Sequence, residues 1–260
     1  MTHSDFSDLK DKKVILVGGF GLIGKALCKG FVNVKSNLII VDINNNKSFL
    51  NKLNYHQRRV IFYSCDITKP KIVERLVTKI VKHHSEIDVF VNCSFPRTSD
   101  WLTGVETVPY NSVKTNLINH LGSYYHFTQL ISKHMIKQKS GSIINFSSIY
   151  GLVAPTFSIY KGTNLISPPA YALIKGGINT MTKYFASYFG KYNIRVNCIS
   201  PGGVFDNQDK KFVKKYIGLT PLKRMAAPED LVMPTLFLAS NGSRYITGHN
   251  LIVDAGWTAH

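Results

Sequence analysis

Short apolar runs separated by amphipathic stretches recur along the whole chain. Val14-Ile15-Leu16-Val17, Leu38-Ile39-Ile40-Val41, Val60 to Cys65, Ile87 to Val91, Ser142 to Phe146, Arg195 to Ile199 and Leu251-Ile252-Val253 are rich in β-branched residues and too short for helices. They read as buried strands. Between them the apolar positions fall at helical spacing. Leu22, Ile23, Ala26, Leu27 and Phe31 share one side of a helix, and Ile72, Leu76 and Ile80 share one side of another over Lys69 to His83. Longer helical patterns run from about Ser112 to Lys137 and from about Ala170 to Phe189. Pro228-Glu229-Asp230 opens a further helix, with proline early and acids in the first turn. Strand and helix alternate without a repeat, linker or break in composition. The pattern predicts one α/β domain over residues 1–260, a doubly wound parallel sheet of about seven strands with helices on both faces. Two segments stand outside the alternation. The connection 151–169 is too long for a simple turn, and 204–225 is polar and basic.

Composition narrows the class. With 44% hydrophobic and 12% aromatic residues, the chain is not disordered. Met1 to Asp11 is polar and carries three aspartates, so no signal peptide is expected, and no apolar run approaches the ~18 residues that span a bilayer. Cys28, Cys65, Cys93 and Cys198 fall on strands or a helix face without metal-ligand spacing, which suits reduced core thiols and a cytoplasmic location; no metal is expected. The formal charge is +17. The lysines are spread along the chain and no nucleic-acid-binding motif is present, so the charge reads as solvated surface, with attraction of an anionic substrate as the other reading.

Chemistry first enters where Val14-Val17 runs into Gly18, Gly21 and Gly24 and then into a helix. Strand, glycine turn and helix lay a pyrophosphate on a helix N-terminus. Asp42 ends the next strand, placed to accept hydrogen bonds from ribose hydroxyls. Tyr171 and Lys175 lie four apart on a helix and project from one face. A phenol near pKa 10 is a poor acid–base group at neutral pH, and a nearby ammonium lowers it. Ser147 and Ser148 end the fifth strand at the edge where α/β sheets bind ligands.

Taken in order, these motifs resemble the short-chain dehydrogenase/reductase family along essentially the full chain. The glycine loop 18–24, Asp42, Asp66 in Cys65-Asp66-Ile67, Asn92, Asn119 with Gly122, Ser147-Ser148, Tyr171 to Lys175, Pro201-Gly202 and Ile246-Thr247-Gly248 all fall where that family has its motifs. The resemblance implies a catalytic tetrad of Asn119, Ser148, Tyr171 and Lys175. It implies dinucleotide contacts from Gly18, Phe20, Gly21, Leu22, Ile23, Asp42, Asp66, Ile67, Asn92, Tyr171, Lys175, Pro201, Gly202 and Val204. By the same resemblance Tyr171 exchanges a proton with the substrate oxygen and Ser148 positions that oxygen. Lys175 lowers the phenol's pKa and binds the nicotinamide ribose, while Asn119 holds a water. A homo-tetramer built on helices 112–137 and 170–189 is also implied.

The chain departs from the common pattern in five places, one being Val204-Phe205-Asp206 where a threonine that contacts the nicotinamide amide usually follows Pro201-Gly202. Val17 precedes the glycines where threonine is usual, and Leu22 stands at a usual glycine. The strand-four motif reads Asn92-Cys93-Ser94-Phe95, and an insertion of roughly ten residues separates Ser148 from Tyr171. That insertion, with Phe95-Pro96-Arg97 and the run from Ile199 to Gln208, resembles the flagellin-modification subgroup linked to bacterial nonulosonic (legionaminic-type) sugar biosynthesis. A sugar, sugar phosphate or nucleotide-sugar substrate is then implied, with no nucleic-acid or membrane partner. Arg97, Tyr160, Lys161 and Lys211 are the candidates to hold it. A generic polyol or 3-oxoacyl-thioester reductase and a catalytically silent NAD-binding partner are the rivals. Asp42 repels a 2′-phosphate, and neither Gly18 to Gly24 nor Ile43 to Asn46 holds lysine or arginine close by except Lys25 and Lys47 at the margins, so NAD is the expected cofactor.

Overall fold

Seven parallel strands form one sheet in the order β3-β2-β1-β4-β5-β6-β7 in the computed structural model, which describes residues 3–54 and 59–259. The strands are β1 (Lys13–Val17), β2 (Asn37–Asp42), β3 (Val60–Ser64), β4 (Val89–Asn92), β5 (Gly141–Phe146), β6 (Ile194–Pro201) and β7 (Asn250–Val253). The main helices are α1 (Leu22–Asn33), α2 (Lys47–Asn54), α3 (Pro70–His83), α4 (Tyr110–Asn116), α5 (Ser123–Gln138), α6 (Pro169–Phe189), α7 (Lys210–Leu219) and α8 (Val232–Ala239). The doubly wound sheet expected from the alternation is the one observed.

Strand alternation sorts the core into two layers. Ile15 and Val17 point to the face covered by Leu76 and Ile80 of α3, Phe127 and Ile131 of α5, and Phe185 of α6. Val14 and Leu16 point to the other face, under Leu27 and Phe31 of α1 and Leu236 and Leu238 of α8. With both faces covered, the central strands β1, β2 and β4 have no polar side to show, which is why they read as continuous apolar runs.

The strand order reverses between the parallel neighbours β1 and β4, whose ends pair Val17 with Asn92. Ligands bind outside the strand ends at such a switch point. Gly18 has φ +83° there, and a Cβ on it would lie 2.8 Å from the Ser94 backbone. Only glycine accepts both the conformation and the approach.

The helical pattern expected over 112–137 is interrupted. Leu117–Gly122 forms a wider π-helical turn between α4 and α5. Within it the Asn119 carbonyl takes the Ser123 hydroxyl at 2.5 Å. Such insertions into α-helices are concentrated at functional sites. The basic segment 204–225 contains α7, capped by the Asp209 carboxylate on the Lys211 and Phe212 amides.

Candidate active site

A cleft of about 1020 Å³ opens along the carboxyl ends of β1 to β6. One end is the glycine turn. The Gly18 amide bonds to Val41, and the Gly21 amide bonds to Gly18. The N-cap of α1, Gly21, offers no side-chain cap, and no acid occupies the first turn. The first amides of this twelve-residue helix therefore point into the cleft with positive partial charge. A Cβ on Gly24 would come within 2.0 Å of the Gly18 carbonyl, so the helix start can sit this close to the strand only as glycine. A pyrophosphate fits this cradle.

Asp42 and Asp66 close the same end. Asp42 Oδ2 accepts from the Phe20 amide at 2.9 Å and Oδ1 from the Asn44 amide at 3.0 Å. Its carboxylate holds the glycine loop to β2 while still facing the cleft. Asp66 Oδ1 accepts from the Thr68 amide and hydroxyl at 2.9 and 2.7 Å, making a tight turn after β3. The Cys93 thiol donates to the Val17 carbonyl at 3.2 Å, and burial pushes it up to about 12, so it is a packing group rather than a nucleophile.

The other end is built on β5 and α6. Ser147 Oγ donates to the Lys175 carbonyl at 2.8 Å and so docks α6 on the strand end. Ser148 Oγ accepts from the Tyr150 amide. Lys175 is only 4% exposed, and its Nζ donates to the Phe146 carbonyl at 3.0 Å. The ammonium sits 5.6 Å from the Tyr171 ring centre, 5.7 Å from Phe95 and 5.9 Å from Tyr124. Burial pushes it down to about 7. The Tyr171 phenol was expected below its ordinary value through Lys175. Burial instead raises it, with the Ser148 hydroxyl pulling the other way. Desolvation by the surrounding rings disfavours both charged forms at once.

Phe95 is the centre of an aromatic cluster. Its ring stands edge-on to Trp101, Tyr171 and His120, and the Arg97 guanidinium lies 5.5 Å from its centre. The loop that carries Phe95 is pinned from below. Tyr124 donates to the Ser94 carbonyl at 3.0 Å, and the Asn116 side chain holds the Thr98 amide and hydroxyl at 3.0 and 2.7 Å.

The cleft brings together Asn119, Ser148, Tyr171 and Lys175 with Gly18, Phe20, Gly21, Leu22, Ile23, Asp42, Asp66, Ile67, Pro201, Gly202 and Val204. Arg97 and Tyr160 line it as well. Three expected site residues are elsewhere. Asn92 is buried and turns inward, its Oδ1 taking the Ser94 amide and hydroxyl at 3.2 and 2.6 Å. It braces the loop after β4 and does not reach the cleft. Lys161 and Lys211 are exposed on outer surfaces, and Lys161 bonds through its backbone, its amide to the Ser158 carbonyl and its carbonyl to Lys215 Nζ. Phe95, Tyr150 and Trp101 were not assigned a role from sequence. Phe95 is an aromatic where the common motif is small and Tyr150 a tyrosine two residues past Ser148, while nothing local marks Trp101. Among the described residues no group of His, Cys, Asp and Glu is arranged to hold a metal, and no helix is long and apolar enough to cross a membrane.

Strand order, glycine cradle and cleft define a Rossmann-type dinucleotide-binding class. The family model described as enoyl-(acyl carrier protein) reductase matches residues 22–258. A post-translational flagellin modification protein A of Campylobacter coli is 36% identical, covering 96% of this chain and 99% of that protein. A 3-oxoacyl-acyl-carrier-protein reductase of Chlamydia muridarum is 35% identical, covering 95% and 98%. A crystal structure of a short chain dehydrogenase from Leptospira borgpetersenii with bound NAD+ superposes with a TM-score of 0.87 at 34% identity, covering 97% of this chain and 95% of that one. The chain belongs to the short-chain dehydrogenase/reductase family and is an oxidoreductase.

Proposed function

We propose that the protein is an NAD-dependent oxidoreductase acting on a hydroxyl- or carbonyl-bearing carbon of a sugar phosphate or nucleotide sugar, in the building of bacterial surface or flagellin glycans. The observation that carries this reading is the meeting of Ser148, Tyr171 and Lys175 at one end of a cleft whose other end is the glycine cradle. When bound, the nicotinamide ring gives or takes the hydride. Tyr171 gives or takes the proton at the substrate oxygen, and Ser148 holds that oxygen by a hydrogen bond. Lys175 binds the nicotinamide ribose and sets the charge beside the phenol, and Asn119 holds a water on the proton path. Asp42 supports NAD, because its carboxylate welcomes ribose hydroxyls and repels a 2′-phosphate. The flagellin-modification relative and the long connection before α6 support the sugar class.

Turnover tests the reading. Tyr171→Phe loses activity by about 10²- to 10⁴-fold while keeping NAD affinity; retained turnover refutes it. A second reading is reduction of a 3-oxoacyl thioester, favoured by the apolar side chains of Leu165, Ile166 and Met225 in the cleft. Assays with hexose phosphates, nucleotide sugars and acetoacetyl thioesters side by side separate the two.

Residues 1–260 act as a single domain in this reading, with 151–169 as substrate loop and 204–225 as lid. A homo-tetramer is supported by the exposed Ile118, Tyr125, Leu173, Tyr184 and Tyr188 around α5 and α6. The free cysteines suit the cytoplasm. Light scattering that gives a monomer refutes the tetramer.

A further inference from the structure

The connection from β5 to α6 carries more hydroxyls to the cleft than proton exchange uses. Tyr150 lies in the short turn Ile149–Gly151 after β5, and Tyr160 closes the short turn Phe157–Tyr160; both line the cleft. The Tyr160 hydroxyl donates to the Tyr150 hydroxyl at 3.2 Å. The Tyr150 ring stands edge-on to the Tyr171 ring, with centres 6.4 Å apart. The Ser167 hydroxyl, closed off from solvent, lies beside that of Tyr160.

A phenol has one proton and acceptor capacity besides. One phenol gives its proton to the other, so the pair together keeps one proton to give and lone pairs to receive. The pair presents one donor and one acceptor side by side, next to the ring of Tyr171. Burial raises both phenols, so both keep their protons at neutral pH.

The pair is also held in place. Lys215 Nζ of α7 donates to the carbonyls of Ser158 and Lys161 at 3.3 and 2.6 Å, on either side of Tyr160. The Tyr160 ring packs on Phe212 at 5.5 Å, and Phe212 packs on Tyr216, which stacks on Trp257 at 4.4 Å. Groups fixed in this way lose little freedom on binding. An acyl chain pressed against them leaves hydroxyls without partners, whereas a polyhydroxylated ring satisfies them.

We infer that Tyr150 and Tyr160 form a paired-hydroxyl subsite for two neighbouring hydroxyls of a polyhydroxylated ring, beside the carbon presented to Tyr171. The inference rests on the oxidoreductase reading above and adds the substrate contact that the insertion supplies.

The test uses the full chain loaded with NADH and three probes: UDP-glucose, glucose 6-phosphate, and ethyl acetoacetate, a ketone without hydroxyls. Affinities are read by saturation-transfer NMR titration for the unaltered protein, Tyr150→Phe and Tyr160→Phe. Each variant weakens at least one of the two sugar probes by about 3- to 10-fold and leaves ethyl acetoacetate within about twofold. Equal weakening of all three probes means a purely structural role and overturns the inference. Unchanged sugar affinity overturns it, and so does failure of both sugars to bind the unaltered protein at up to about 10 mM. None of these outcomes touches the oxidoreductase reading, which falls separately if Tyr171→Phe keeps its turnover.

Discussion

Lys175 Nζ lies 5.6 Å from the centre of the Tyr171 ring, yet its hydrogen bond goes to the Phe146 carbonyl. The two side chains share one helix face, and the backbone of β5 ties down the lysine between them. Lys175 therefore holds a charge in an apolar enclosure with one neutral acceptor. That arrangement costs stability, because desolvation of an ammonium is repaid only in part by a carbonyl.

Replacing Lys175 by methionine removes that cost. Lys175→Met raises the melting temperature at pH 7, by about 2–4 °C for each kcal/mol recovered in a chain of this size. The same variant loses turnover by about 100-fold or more. Differential scanning calorimetry and initial rates on one preparation check both halves.

The pH dependence follows from the directions of the two shifts. The Lys175 pKa is lowered to about 7, so the unfolded chain holds the proton more tightly than the native one between that value and its ordinary 10.5. Stability contributed at this site therefore falls as pH drops from above 10.5 towards 7 and is flat below. The Tyr171 phenol, raised by burial, stays protonated at neutral pH. Carbonyl reduction, which needs that proton, is favoured near pH 7, and alcohol oxidation climbs with pH. Initial rates in both directions across pH, at saturating cofactor, show the crossing.

Asp42 serves two purposes, and they separate in one variant. Asp42→Ala relaxes the proposed preference for NAD over NADP, since the repelling charge is gone. It also removes the acceptor of the Phe20 amide, which leaves the glycine loop less firmly tied to β2. The expected loss is about 1–3 kcal/mol of stability. Cofactor titrations and urea unfolding measure the two effects independently.

Gly18→Ala places a methyl group where the Ser94 backbone already stands, at a φ of +83°. Dinucleotide affinity falls by tenfold or more, and stability drops by about 1–3 kcal/mol. NADH fluorescence titration and thermal melts report these losses.

The local signals were legible in the chain. Val14-Val17 and Leu38-Val41 are continuous apolar strands because both faces of the sheet are covered, and Gly18 and Asp42 follow directly at their ends. Tyr171 and Lys175 share a face by helix geometry alone. Features set by tertiary contact were not legible. Asn92 is the last residue of β4, and a strand's alternation decides which way it turns; here it turns inward to Ser94. The π turn at Leu117–Gly122 has an apolar spacing that fits an ordinary helix as well. Lys161 and Lys211 carry the right charge, but the packing of Ile159 and Phe212 into the core decides that they face outward. The upward shift of Tyr171 depends on burial, which neighbouring motifs in a sequence do not reveal.

The close approach of Gly18 to Ser94 has an evolutionary corollary. The glycine turn and Ser94, the second residue of the loop after β4, share a boundary with no slack: a side chain at 18 would meet the backbone of 94. The backbone at residue 94 is consequently fixed against the glycine turn. Side-chain variation in this loop finds room from the exposed Phe95 outward through Arg97, and it leaves the glycine-turn half of the cleft undisturbed.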